Sequence, residues 1–419
     1  MMTMALNRRQ LLGRGTALAA IGAIPARLIA AAQGQLTPLA LPPAITPAER
    51  LARVRRAQVR MRAEGIGAVL VESGPSLDYF SGVQWRRSER LTALVIPAEG
   101  DAIVVTPFFE KPTIAEMLVI PAEIRPWNED EDPLRLVAGF LAERKLAALP
   151  VAMEETNRFW IVDRLKAVSP TVSIVSANPV VRALRMIKSP AELALMQAAA
   201  SATAHALRYA GHNTRLGFTS AEIDALVAAG HQAQGVEYDG GLILLNEASA
   251  FPHGSKQAQV VTKGGVVLLD CGCAVHGYRS DISRSFVFGA DPSAEQRKVF
   301  AQMRRGQDIA MAAAKVRAPA GSVDDAVRTA YESWGYGPGY ALPGTSHRTG
   351  HGIGMEGHEP VNLVHGERTP LAPGMCFSNE PGIYLPGKFG IRLEDCFYMT
   401  VAGPKFFTVP PASIDQPFA

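Results

Sequence analysis

The chain has 419 residues, 47% of them hydrophobic and 19% charged, with a net charge of +3. A chain of this size can bury large cores unaided and has room for two or three domains. The near-balanced charge, with no basic helix or interleaved aromatic patch, argues against a nucleic-acid partner. Four cysteines (Cys271, Cys273, Cys376 and Cys396) are too few for a disulfide scaffold.

The chain begins with Asn7-Arg8-Arg9-Gln10-Leu11-Leu12, a mild apolar run over residues 15–26, and then Ala30-Ala31-Ala32. Paired arginines, a short hydrophobic region and small residues resemble a twin-arginine export signal, here residues 1–32, and imply an exported, periplasmic protein. The stretch between Arg14 and Arg27 is too short to cross a bilayer as a helix, so no stable membrane span is expected after signal removal. An ordinary secretory signal or an uncleaved anchor are the other readings. The mature protein is expected to begin near Gln33, with residues up to about Leu41 a loose leader.

Thr46-Pro47-Ala48-Glu49 and Ser189-Pro190-Ala191-Glu192 each combine a capping box with proline at the first helical position. Thr219 with Glu222, and Ser293 with Gln296, repeat the capping-box spacing. Helices are predicted over residues 48–63, 134–144 and 158–168. Strands are predicted over 68–72, 91–96, 102–106, 151–153 and 172–175. This alternation predicts an α/β domain with a mixed sheet over residues 46–186. It contains no histidine, no cysteine and no glycine-rich phosphate loop.

Beyond Ser189, long helices over 190–209 and 220–233 lead into strands over 242–245, 266–273 and 280–288. Helices over 294–316 and 323–334 follow, and a Gly- and Pro-rich section carries short strands. All nine histidines lie in residues 187–419, so the chemistry is expected there.

The run Val266-Val267-Leu268-Leu269 suits a strand buried on both faces, and it ends in Asp270. A buried carboxylate is costly unless paired or metal-bound. A turn centred on Val275-His276 sets Asp270 opposite Asp281, with Cβ atoms about 4.5–5.5 Å apart. Two such carboxylates repel unless a proton or cation lies between them. For Asp281 taken alone, a solvated hairpin acid is a fair alternative.

Farther on come Gly350-His351-Gly352-Ile353-Gly354 and His358-Glu359. A lone histidine is more often structural, but His347, His351 and His358 clustered among glycines point to function. Glu380 stands before Pro381-Gly382, and Arg392 and Glu394 share one face of a short strand segment. Each pair alone also reads as solvated strand-end acids. Together, two Asp, two Glu and one His make an oxygen-rich set that suits Mn²⁺, with Co²⁺, Zn²⁺ and Fe²⁺ as other fits. Four carboxylates exceed the needs of one ion and fit two ions about 3.5–4 Å apart.

This pattern resembles the pita-bread metallopeptidases, in particular Xaa-Pro dipeptidase (prolidase) and Xaa-Pro aminopeptidase. The resemblance rests on Asp270, Asp281 eleven residues later, His351 within Gly-His-Gly, Glu380 before Pro-Gly, and Glu394 within Arg-x-Glu-Asp. It implies an α/β N-terminal domain with a mixed sheet, followed by an α+β pita-bread catalytic domain. It further implies two divalent metal ions, manganese foremost, held by Asp270, Asp281, His351, Glu380 and Glu394.

The family's two non-ligand histidines correspond to His253, in Phe251-Pro252-His253-Gly254, and to His358. The resemblance gives both a catalytic role, with Glu380 as proton shuttle. Arg392, Tyr278 and His347 are further candidates for supporting the ligands. Leu77-Asp78-Tyr79-Phe80-Ser81-Gly82 resembles the creatinase/prolidase N-terminal domain. Methionine aminopeptidases lack that domain and creatinases lack the metal ligands. The implied substrates are short proline-containing peptides or dipeptides, cleaved at an N-terminal Xaa-Pro bond by a homodimer. Two alternatives stay open: a peptide- or metal-binding protein without turnover, and a hydrolase of a non-peptide amide or ester.

Overall fold

The structure is a computed structural model and describes residues 24–418, so the paired arginines and most of the apolar run of the export signal lie outside the described residues. The first helix, α1 (Ala26–Gln33), is followed by α2 (Pro47–Ala63), β1 (Ala68–Glu72), α3 (Pro75–Ser81), β2 (Ala93–Pro97), β3 (Ala102–Pro107) and α4 (Lys111–Met117). Then come β4 (Ala122–Trp127), α5 (Pro133–Glu143), β5 (Val151–Met153), α6 (Phe159–Val168) and β6 (Ile174–Ser176).

The strands form one mixed sheet in the order β4-β3-β2-β1-β5-β6. β2 runs antiparallel to both β1 and β3, and the β3–β4, β1–β5 and β5–β6 pairs are parallel. β1, β2 and β3 are buried throughout, as in a sheet covered on both faces. Three elements escaped the sequence reading. β4 carries Pro126 and polar residues on the sheet edge, where the strand pattern is weakest. α3 and α4 are seven residues each, too short to establish a helical period.

After the short α7 (Ala183–Arg185) at the domain junction, the second domain runs through α8 (Pro190–Asn213) and α9 (Ser220–Ala233), followed by β7 (Glu237–Leu245), β8 (Val266–Val275), β9 (Tyr278–Arg279) and β10 (Ile282–Val287). The capping boxes at Ser189 and Thr219 both form, as does the one at Ser293 that opens α10 (Ala294–Ala313). After α11 (Gly321–Ser333) come β11 (Gly350–Gly352), β12 (Glu359–Leu363), β13 (Cys376–Phe377), β14 (Ile383–Leu385), β15 (Phe389–Ile391), β16 (Phe397–Thr400) and β17 (Gly403–Phe406).

One sheet is ordered β10-β8-β7, with β9 on β8, and a second is ordered β12-β11-β13-β16-β17. α8 packs on β8 and α9 on β7. The first sheet meets the second segment at Ser283 and Glu394, which exchange backbone hydrogen bonds of 3.1 and 3.2 Å. The whole is a two-domain pita-bread fold.

Two expectations need correction. The hairpin turn centres on His276-Gly277, not on Val275-His276. Both turn residues have left-handed φ, 47° and 84°, as a two-residue hairpin turn demands. Glycine takes that conformation freely, whereas the β-branched Val275 would be strained there. Val275 therefore pairs with Tyr278, and Asp270 falls opposite Ser283 rather than Asp281.

The leader from Gln33 is also not loose: Leu39 N–H donates to the Gln234 carbonyl at 3.1 Å. α1, which falls within the residues read as the export signal but for Gln33, packs on α9 with Ala32 fully buried. Leu28, Leu36 and Leu39 bury apolar surface against the main core, which offsets the entropy of ordering this segment.

That main core runs through both domains, joining Val54, Val69 and Leu77 to Leu195, Val227 and Cys271. A polar network crosses the same boundary. The buried Arg53 donates to the Tyr79 carbonyl at 3.0 Å and to the Tyr278 hydroxyl at 3.1 Å, and it pairs with Glu192 at 3.4 Å. The Tyr278 hydroxyl donates to Glu192 at 2.7 Å. All four cysteines are free and buried.

Candidate metal centre

The five candidate ligands come from five places in the chain. Asp270 lies in β8 and Asp281 between β9 and β10. His351 lies in β11, and Glu380 and Glu394 follow β13 and β15. Their donor atoms converge. Asp270, Asp281 and Glu394 each place a carboxylate oxygen within 4.8 Å of the others, and so do His351, Glu380 and Glu394 with one donor each. Two triads thus share Glu394. His351 Nε2 stands 3.2 Å from Glu380 Oε1, 3.8 Å from Asp281 Oδ2 and 3.9 Å from Glu394 Oε1.

Close backbone approach is needed around His351. A Cβ on Gly350 would lie 2.1 Å from the Ser378 carbonyl, and one on Gly352 would lie 2.5 Å from that of Glu359. The glycines therefore let β11 press between β12 and β13 and bring the imidazole to the carboxylates. His351 Nδ1 lies 3.0 Å from the Gly352 carbonyl. Nδ1–H donates there, which turns Nε2 toward the acids: protonated it donates to Glu380, and deprotonated it would offer its lone pair to a cation.

The electrostatics are those of anions crowded in a buried space. Burial, then the nearby Asp270 charge, push Asp281 up to about 8. Burial, then Asp281, push Glu394 well above the carboxylate range. Burial alone would raise Glu380, but its hydrogen bond to His351 and that imidazole's charge hold it low. Burial pulls His351 down, and Glu380 more than compensates and holds it up. Glu394 Oε1 is buried without a hydrogen-bond partner in a site otherwise rich in bonds. An unpartnered carboxylate oxygen amid three other acids is costly unless a cation meets it. The donor set, the convergence and this orphaned oxygen all fit divalent cations.

Around the ligands sits a polar frame. Ser283, fully buried, donates toward Asp270 Oδ1 at 2.8 Å and Glu394 Oε2 at 2.9 Å, one hydroxyl shared between two acids. Arg392 ion-pairs with Asp270 and donates to Ser283 Oγ at 3.1 Å, the Pro252 carbonyl at 3.1 Å and the Tyr384 hydroxyl at 3.0 Å. His347 reaches the site through Tyr384, with Nε2 2.8 Å from that hydroxyl.

Sequence reasoning missed Ser283, whose partners Arg392 and Glu394 lie more than a hundred residues away, and Tyr384, which meets Arg392 and His347 only through the fold. Tyr278 is a correction. Its hydroxyl is engaged by Arg53 and Glu192 at the domain boundary, as its place beside the hairpin turn dictates, and it supports no ligand.

His358 is exposed beside His351, ring centroids 4.1 Å apart and edge to face. Its Nδ1 or Nε2 lies within 4.8 Å of donors on Asp281 and His351. Burial of the ring face, then the His351 charge, press its pKa down to about 4, so it is neutral at pH 7. His253 is exposed on the loop that Arg392 grips through Pro252.

The sequence profile of metallopeptidase family M24 matches residues 194–401, and that of the creatinase/prolidase N-terminal domain matches residues 53–187. The chain is 31% identical over 348 residues to the probable dipeptidase PepE of Mycobacterium bovis, covering 81% of this chain and 89% of that one. It belongs to metallopeptidase family M24. Within this family, it is 30% identical to the Xaa-Pro dipeptidase of Lactobacillus helveticus, over 80% of this chain and 90% of that one. The crystal structure of dipeptidase PepE from Mycobacterium ulcerans superposes with a TM-score of 0.80 at 30% identity, covering 88% of this chain and 98% of that one. The chain is thus a prolidase-like M24 metallopeptidase with a candidate divalent-metal site.

Proposed function

We propose that this chain is a dinuclear-metal exopeptidase that cleaves the Xaa-Pro bond of dipeptides and short peptides, with the prolidase reaction foremost. One observation carries the reading: two triads of donors share Glu394, whose Oε1 is buried and unpartnered. Such a donor set would hold two divalent cations, with Glu394 common to both triads. The kinship with an Xaa-Pro dipeptidase supports the substrate class.

Cations bound there would polarise the scissile carbonyl and acidify a water. The protein's own groups do the rest. Glu380 takes the proton from the water and delivers it to the leaving proline nitrogen. His358, neutral at pH 7, donates an N–H to the developing oxyanion without adding charge that would repel cations. His253 on the rim hydrogen-bonds the substrate. Arg392 fixes Asp270 in place. An Xaa-Pro bond lacks an N–H, so a site that asks for none there favours proline over ordinary residues.

The test is metal analysis of the purified protein, followed by a panel of Xaa-Pro dipeptides set against longer Xaa-Pro peptides. Two bound divalent ions with hydrolysis confined to dipeptides is the expected result. Trimming of longer chains would assign an aminopeptidase instead. Two bound ions with no hydrolysis of either set would sink the peptidase reading in favour of a non-peptide substrate or a binding role. Asp281→Ala is expected to abolish hydrolysis and lower bound metal, and full activity in that variant would remove Asp281 from the ligand set. We propose further that the protein leaves the cytoplasm by the twin-arginine route. Changing Arg8 and Arg9 together to lysine should trap it inside, as fractionation would show.

A further inference from the structure

Glu359, next to His358, is buried and takes no part in the candidate ligand set. Its carboxylate accepts from the backbone N–H of Met355 at 2.9 Å and of Glu356 at 3.2 Å, both in the short loop that leads to His358. The same carboxylate takes Lys188 Nζ at 3.0 Å and Arg185 Nη2 at 2.5 Å. Both cations lie on the segment that joins the two domains. Arg185 reaches the other way too. Its Nη1 donates to Ser76 Oγ at 2.8 Å, and Ser76 Oγ donates to Glu154 at 2.6 Å, both in the N-terminal domain. A further tie holds the loop from the other side, where Arg279 N–H donates to the Gly354 carbonyl at 2.8 Å.

One acid therefore closes the loop that carries His358, and one arginine fastens that acid to the neighbouring domain. Burial works against ionising Glu359, and Lys188 and Arg185 overcome it. A charge this deeply buried and fully bonded fixes geometry firmly, because losing any partner leaves another unpaired.

We infer that Glu359 is a positioning residue for His358, and that through Arg185 it makes the placement of His358 depend on the docking of the N-terminal domain. This rests on the reading that His358 meets the substrate. Glu359 makes no hydrogen bond or ion pair with the five candidate ligands, so metal loading and His358 placement are separable.

The experiment compares wild type, Glu359→Gln, His358→Ala and the double variant with an Xaa-Pro dipeptide, measuring kcat, KM and bound metal. Glu359→Gln should lower kcat about 100-fold, the scale of an ångström-level misplacement. KM and metal content should stay close to wild type. In the His358→Ala background the same change should cost nothing more. Losses that multiply in the double variant, or a wild-type kcat in Glu359→Gln, would overturn the proposal.

Arg185→Lys keeps the charge but loses the two-pronged reach to Ser76, and it should give an intermediate fall in kcat even if Glu359→Gln folds poorly. Hydrogen exchange on the protein as purified supplies a readout free of substrate. Glu359→Gln should speed exchange in residues 353–358 while the strands bearing Asp270 and His351 stay protected. Unchanged exchange in that loop would overturn the proposal. Failure of the wild type to cleave any Xaa-Pro peptide, with the loop effect intact, would instead locate the error in the substrate class.

Discussion

Ser283 shows how a neutral side chain can organise a charged site. Its hydroxyl has one hydrogen to give and stands within 2.9 Å of carboxylate oxygens on both Asp270 and Glu394, while Arg392 Nε donates to it from a third side. Ser283→Ala removes that bond and leaves the acids to drift. Loss of such a supporting partner typically costs about 10–100-fold in metal affinity, so titration of the stripped variant with Mn²⁺ should show weakening of that order. An unchanged affinity would mean that Arg392 alone sets the two acids. The five candidate ligands were read from their combination and from the family resemblance: the apolar run 266–269 singles out Asp270, and glycines flank His351, but Asp281, Glu380 and Glu394 each pass alone for solvated acids. Ser283 was not legible. In Ile282-Ser283-Arg284-Ser285 either serine could face the acids, and only the fold reveals that Ser283 meets Glu394 while Ser285 bonds the Arg392 backbone.

Elements with their own local signals were read closely, and those defined by their neighbours were not. α2, α8, α9 and α10 begin where Thr46, Ser189, Thr219 and Ser293 cap them, because a cap is a bond within four residues. The β8–β9 hairpin turn was misplaced by one residue, since its centre depends on which residues accept positive φ, and Gly277 does so beside His276 where Val275 was expected. The clasp at the start of β12 carries its own prediction. Glu359 is depressed to about 2 against an ordinary value of 4.5, with burial opposing and Lys188 and Arg185 prevailing. A carboxyl lowered on folding contributes stability that is present above about pH 4.5 and lost as pH falls toward 2. The contribution is roughly 3 kcal/mol at most. Urea melts from pH 6 to pH 2 should therefore lose less stability in Glu359→Gln than in wild type across that window. Parallel curves for the two proteins would show that the clasp adds nothing to acid resistance.

Across the whole molecule, the mixed sheet, the helical layers and the placement of all histidines in the second domain followed from alternation and composition. The docking of α1 on α9 and the Arg53–Tyr278–Glu192 network did not, since both join segments far apart in the chain. The metal centre has the same character. Asp270 and Asp281 belong to the sheet built on β8, and His351, Glu380 and Glu394 to the segments around β11, β13 and β15. These two parts of the domain meet in backbone hydrogen bonds at Ser283 and Glu394. Cations gripped from both sides would bind the folded chain alone, and a site occupied at a hundred times its dissociation constant adds roughly 3 kcal/mol. Treatment with a chelator should then lower the melting temperature by on the order of 5 °C or more, as calorimetry would record, and a melting curve indifferent to chelation would count against binding across the seam. Because bound cations would rivet one half of the domain to the other, heat alone can rank manganese, cobalt, zinc and iron as occupants, before any substrate has been found.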